Sequence, residues 1–173
     1  MSTRNLQMFF VIVLFLIFSP ASIQNVSSMP VTVDSSEKFL DNMYSSIAPD
    51  YIQMNYYITK YAKQYGVPLN IAYSVAKLET GYKGPDHKNY VPGRTSSADA
   101  EGPMQILLST AREVSGNPEL TRLELRHNIE LNVKLSMMYL RQLHDICGDW
   151  AKTTGFYNTG YFIINDYART AVK

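Results

Sequence analysis

An acid catalyst working near neutral pH needs a carboxyl group that water solvates poorly, and Glu79 is the side chain of this sequence placed to be one. Ile71, Val75 and Leu78 recur at helical spacing, and Glu79 falls on the face they mark, one turn after Val75. Gly81 follows as a helix stop. A carboxylate on such a face is costly unless it is paired, hydrogen-bonded or protonated, so burial would raise its pKa. A helix-terminal Glu turned out to solvent is the competing reading. Nucleophilic chemistry has less to stand on. Cys147 is the single cysteine, and nothing marks His87, His127 or His144 as its partner base. Cys147 shares a helical face with Leu140 and Leu143 and reads as a small buried apolar residue, with no internal disulfide open to it. No His, Cys, Asp and Glu set has metal-ligand spacing, so neither metal nor cofactor is expected.

The elements that must hold Glu79 all read as helices. Asp34 with Glu37 opens a short helix running to Ser46. Tyr51, Ile58, Tyr61, Ala62 and Tyr65 trace the apolar face of a second, which stops at Gly66. Val67-Pro68 opens the Glu79 helix, with Pro68 in its first turn. Thr110 and Glu113 have capping-box spacing and predict a helix start there, with an end near Gly116. Ile129, Val133, Met137, Leu140 and Leu143 trace a long helix up to Gly148, and another begins near Asp149-Trp150. No alternating strand pattern of useful length appears, and no internal repeat. The expected class is all-α.

Outside that helical region the chain begins differently. Arg4 precedes an apolar run from Met8 to Phe18. The run is too short for a membrane-spanning helix, which needs about 20 residues, but it fits a signal-peptide core. Ser19-Pro20-Ala21 supplies small residues for cleavage after Ala21. Residues 1–21 are therefore expected to be a signal peptide and the product exported, to a periplasm or cell envelope; an uncleaved anchor is the alternative. Residues 22–48 read as a Ser-rich linker with the short helix, and 49–173 as the single working domain. A net charge of +1 without charged runs argues against nucleic-acid partners and against strong attraction to anionic lipid. The 13 tyrosines suit sugar binding, though they suit partly exposed helix packing equally well.

Between Gly81 and Gly102 lies a long polar loop with Pro85 and Pro92 and no apolar period, a kind of segment that is often functional. It leads into Glu101-Gly102-Pro103-Met104-Gln105-Ile106, where a glycine permits close backbone approach and Met104 and Gln105 offer an apolar contact and an amide. Phe156-Tyr157-Asn158-Thr159-Gly160 later supplies a phenol and an amide beside another glycine. Each segment alone fits a structural turn.

Taken in order, Lys77-Leu78-Glu79-Thr80-Gly81-Tyr82, Ser96, Ala100 to Ile106, Asn128-Ile129, Tyr139-Leu140 and Tyr157 to Gly160 resemble the catalytic domain of soluble lytic transglycosylases. The resemblance runs over residues 50–168, and its weight lies in the ordered set. It implies a lysozyme-like all-α domain with a two-lobed substrate cleft, acting on peptidoglycan glycan strands. It gives Glu79 the part of sole catalytic acid/base, Ser96 that of the serine near the carboxylate, and Tyr157 that of the tyrosine bonded beside it. Gly102, Met104 and Gln105 match the segment lining the cleft, and Asn158 stands next to Tyr157.

Some positions depart from the pattern. Thr80 replaces the usual Ser and keeps the hydroxyl. Asp99 stands where Gly is usual, Pro103 where Leu is usual, Phe156 where a small residue is usual, and the loop from Tyr82 to Arg94 is longer than common. In the implied reaction Glu79 protonates the glycosidic oxygen beyond N-acetylmuramic acid, with help from that sugar's acetamido group. Glu79 then takes the proton of its 6-hydroxyl, closing a 1,6-anhydro ring. Two other readings stand beside it. One is a goose-type-lysozyme-like hydrolase using Asp86 or Asp99 as second carboxylate; the other is a non-catalytic glycan-binding or scaffold protein of an envelope apparatus. A small exported enzyme also fits local wall opening for secretion, conjugation or phage assembly machinery.

Overall fold

The computed structural model describes residues 35–96 and 99–173. The expected signal peptide and most of the linker lie outside these. Contacts divide the chain into residues 1–39 and 40–173, and of the first only the opening of one helix is described. The described residues form eight helices and one small hairpin, so the all-α class holds. The helix expected to end at Ser46 runs Ser35–Ser46 (α1).

Helix α2 spans Asp50–Tyr65 and α3 spans Leu69–Thr80. Each stops at a glycine in the left-handed conformation, Gly66 and Gly81. At Gly81 the cap N–H groups reach back to the Ala76 and Lys77 carbonyls, so the helix carrying Glu79 ends in a fixed geometry. The hairpin follows as β1 (Ala100–Glu101) and β2 (Ile106–Leu107), paired antiparallel. Two-residue strands are too short to leave an alternating pattern in a sequence. After it come α4 (Leu108–Ser115), α5 (Arg122–His127), α6 (Ile129–Cys147), α7 (Trp150–Thr159) and α8 (Asp166–Ala171).

Two apolar clusters meet on α6. One joins α2, α3 and α6 through Tyr57, Ile58, Val75, Val133, Met137 and Leu140; the other joins the hairpin, α4 and α5 through Ile106, Ala111, Leu120, Leu125 and Leu135. Helix α6 is thus the axle between the Glu79 helix and the hairpin.

Three local expectations need correction. Thr110 does not cap a helix: it lies buried inside α4, whose N-cap is Leu107 with no side-chain bond. The strand β2 runs straight into α4 and starts the helix early. The capping box forms instead at Thr121, whose hydroxyl accepts from Glu124 N–H at 3.2 Å while Thr121 N–H donates to the Glu124 carboxylate at 2.9 Å. Leu78 is exposed; the buried face of α3 is Ile71, Ala72, Val75, Ala76 and Thr80, and Glu79 borders it. Cys147 is only half-buried at the end of α6, where its thiol donates to the Asp149 carbonyl at 3.3 Å.

Candidate functional site

Glu79 occupies the next-to-last position of α3 and is half-buried. Burial pushes its carboxyl above the usual carboxylate range, and a hydrogen bond from Tyr167 pulls the other way without cancelling it. That bond is short, 2.6 Å from the Tyr167 hydroxyl to Glu79 Oε1. Tyr167 itself stays protonated, because burial and the neighbouring Glu79 charge push its pKa far up.

The partner of the carboxylate is therefore Tyr167, where the resemblance had pointed to Tyr157. Tyr157 is close enough for the Glu79 charge to raise its pKa, after burial as the main cause. Its hydroxyl, however, donates to the Met104 carbonyl at 2.8 Å. Tyr157 thus ties α7 to the hairpin, and its ring packs against Tyr139 at 5.7 Å.

Tyr167 arrives from α8, a six-residue helix capped by Asn165, whose side chain accepts from Ala168 N–H at 2.9 Å. The turn between α7 and α8 folds back so tightly that a Cβ on Gly155 would sit 1.8 Å from the Ile163 carbonyl oxygen. Only glycine at 155 leaves room for that return. No period in the sequence announces so short a helix; its one signal is the Asn165-Asp166 start, an N-cap residue followed by an acid.

The hairpin is held from α6 by a residue that no motif marks. Asn132 of α6 is fully buried and accepts from Met104 N–H at 2.9 Å through Oδ1, while its amide donates to the carbonyls of Glu101 and Leu125 at 2.8 and 2.9 Å. A Cβ on Gly102, at φ +72°, would come within 2.5 Å of the Asn132 amide, so glycine there lets the hairpin lie on α6. Thr80 adds a link from α3, with its hydroxyl 2.8 Å from the Pro103 carbonyl.

Glu101 sits under the same hairpin, completely enclosed. Burial would raise its pKa, but Arg126, Thr95 and Arg122 together hold it below the usual range. Arg126 bonds it through Nε at 2.8 Å and Nη2 at 3.2 Å, Thr95 donates at 2.9 Å, and Arg122 donates at 3.2 Å.

The remaining expected contacts divide. Met104 is fully buried in the core, so its side chain has no surface to offer a glycan; its backbone does the positioning. Gln105, at φ +52°, spends its amide on the carbonyls of Arg94 and Gly102, at 3.1 and 2.8 Å, stiffening the hairpin turn. The Ser96 hydroxyl accepts from Ala100 N–H at 3.1 Å and closes the turn before β1. Asn158 is exposed and its carbonyl accepts from Asn165 at 3.3 Å, bracing the α7–α8 return. Among the described residues no three His, Cys, Asp or Glu side chains gather closely enough to hold a metal ion.

The arrangement joins one poorly solvated carboxyl to a neutral phenol, beside a hairpin fixed from three helices. It can hold a proton and release it. Compared with known proteins, residues 56–173 match the family model described as Transglycosylase SLT domain. No curated protein matches the chain.

Proposed function

The chain belongs to the transglycosylase SLT domain family, and on that footing we propose that Glu79 is the single acid/base of a lytic transglycosylase that cuts peptidoglycan. Membership implies a peptidoglycan-acting activity of the lytic transglycosylase type, and such domains typically work outside the cytoplasm. No helix among the described residues is long and apolar enough to cross a membrane.

The observation that carries the residue assignment is the Glu79 carboxyl itself, raised by burial and bonded to a donor that is never ionised near neutral pH. Tyr167 spends its proton on Oε1, which leaves Oε2 to carry the acid proton. Glu79 delivers that proton to the glycosidic oxygen beyond N-acetylmuramic acid as the C1–O bond breaks. The acetamido oxygen of the same sugar holds the charge developing at C1. Glu79, now a carboxylate, takes the proton of the 6-hydroxyl as O6 closes on C1, giving the 1,6-anhydro sugar without consuming water. Gln105, Gly102 and Asn158 are proposed to border the glycan as well as to brace the hairpin and the α7–α8 return.

A hydrolase would need a second free carboxylate to activate water. Glu101 is saturated by Arg126, Arg122 and Thr95, and Asp99 pairs with Arg122 at 3.4 Å, which leaves Asp86, exposed in the loop after α3, as the carboxylate such a hydrolase would have to use. The test is mass spectrometry of muropeptides released from purified peptidoglycan by the wild-type chain and by Glu79→Gln. Products one water lighter than hydrolysis products, ending in 1,6-anhydro-muramic acid and missing with the variant, are expected. Reducing-end products, or activity retained by Glu79→Gln, would overturn the assignment.

A further inference from the structure

The loop between α3 and the hairpin is tightly anchored. Tyr82 is buried, and its hydroxyl donates to the Tyr51 carbonyl of α2 at 2.6 Å. Its ring stacks on Tyr73 of α3 at 6.2 Å and meets Tyr90 edge-on at 4.9 Å, with His87 5.5 Å from Tyr90. This aromatic cluster delivers buried Tyr90 to Thr80, the residue next to Glu79, with the two hydroxyl oxygens 2.8 Å apart.

Counting protons fixes the direction of the bonds. Thr80 has one hydroxyl proton, and its oxygen lies 2.8 Å from the Pro103 carbonyl and 3.2 Å from the Ala76 carbonyl. Carbonyls only accept. Tyr90 has a proton to give, and burial pushes its pKa up to about 12, so it keeps that proton. The arrangement that satisfies every group runs from Tyr90 to Thr80 and from Thr80 to Pro103. Pro103 precedes Met104, whose carbonyl takes the Tyr157 proton and whose N–H goes to Asn132.

We propose that Tyr90 is a positioning residue: by donating to Thr80 it turns the Thr80 proton onto Pro103 and so sets the hairpin against the Glu79 end of α3. Without the Tyr90 proton, Thr80 is free to bond back to Ala76, the ordinary habit of a helical threonine. Pro103 then loses a donor, the hairpin loosens, and water gains access to Glu79. The long loop is in this view a buttress for the acid. The inference rests on the reading of Glu79 as acid/base, but its test reads the carboxyl directly.

The experiment compares wild type, Tyr90→Phe, Thr80→Val and the double variant by two measurements. One is the Glu79 titration followed by carbon NMR on glutamate-labelled protein; the other is kcat and KM on a soluble glycan oligomer. Tyr90→Phe is expected to lower the Glu79 pKa and to cut kcat about tenfold with KM within twofold, the cost of a slightly misplaced acid. Thr80→Val is expected to match it, and the double variant to lose no more than Thr80→Val alone. An unmoved Glu79 titration in folded Tyr90→Phe, or additive effects in the double variant, would overturn the relay. A wild type that cuts no glycan, with a titration that still responds to Tyr90→Phe, would remove the enzymatic reading and keep the relay. Should Tyr90→Phe fail to fold, Thr80→Val carries the same two readouts.

Discussion

A half-buried carboxylate and a fully buried one lie at the two ends of one hairpin's support, and their surroundings are opposites. Glu79, at the end of α3, has a single neutral partner, and desolvation leaves its pKa raised. Glu101, in β1, has two guanidinium groups and a threonine, and its pKa is lowered despite complete enclosure. The same side chain is thus pushed towards its protonated form in one place and towards its charged form in the other. What separates them is the partner's charge, and burial alone would not have told them apart.

The comparison is broken most forcefully by neutralising each acid in turn. Glu79→Gln is expected to cut glycan cleavage about a thousandfold or more while the thermal midpoint holds or rises, because the amide removes a poorly solvated ionisable group. Glu101→Gln is expected to cost about 2–3 kcal/mol in urea unfolding. It leaves Arg126 and Arg122 facing a neutral amide, at a cost moderated by their contact with water. Activity of Glu101→Gln should follow its folded fraction. A Glu101 variant that is stable but inactive would mean the roles had been assigned the wrong way round.

The two acids also pull stability in opposite directions with pH. Glu101, with a lowered folded pKa, contributes stability above its unfolded value, and that contribution is lost as pH falls through the folded one. Glu79, with a raised folded pKa, has its contribution intact below the unfolded value and loses it as pH rises through the folded one. Urea midpoints across the acid to neutral range should therefore show wild type approaching Glu101→Gln in acid, and falling relative to Glu79→Gln towards neutral pH. Parallel curves would deny the contrast.

Tyr167→Phe sharpens the comparison at the Glu79 end. It removes the one group that favours the charged form of Glu79, so the carboxyl pKa should rise further. Because the proposed reaction starts from protonated Glu79, the basic limb of kcat/KM should move to higher pH, while kcat falls about tenfold as the carboxyl loses its orientation. This shift is opposite in sign to the one expected for Tyr90→Phe. A basic limb that stays in place would show that Tyr167 does not tune the acid.

Much of this frame was legible in the sequence because helical periodicity is a local signal. Glu79 stood out against Ile71 and Val75, and the glycines after α2, α3 and α6 marked true helix ends. What stayed hidden was set by long-range contact. Tyr167 lies far along the chain from Glu79 and sits in a helix too short to show a period. Asn132 looks like any polar residue on α6 until the hairpin packs on it. Glu101 stands at the end of a polar loop in the sequence, and its guanidinium partners arrive only when α5 packs beside it. Met104, between Pro103 and Gln105, carries no sign in the sequence that it faces the core.

The smallest test lies at the rim of the Glu101 cage, where Asp99 adopts φ +66° and pairs with Arg122 at 3.4 Å. Both side chains are well exposed, so the pair is worth roughly 0–1 kcal/mol. Holding a residue with a Cβ in the left-handed region costs a similar amount, which Asp bears better than most. Asp99→Gly relieves the backbone, gives up the pair and frees Arg122 to lean on Glu101, while the more flexible unfolded chain takes back part of the gain. These terms nearly cancel, and a change within about 0.5 kcal/mol in urea unfolding is expected. Asp99→Ala loses the pair without relieving the backbone, so it should cost about 1 kcal/mol more than the glycine variant. If Asp99→Gly instead cost as much as Glu101→Gln, Asp99 would belong to the charge cage itself, and Arg122 would depend on both acids for its place.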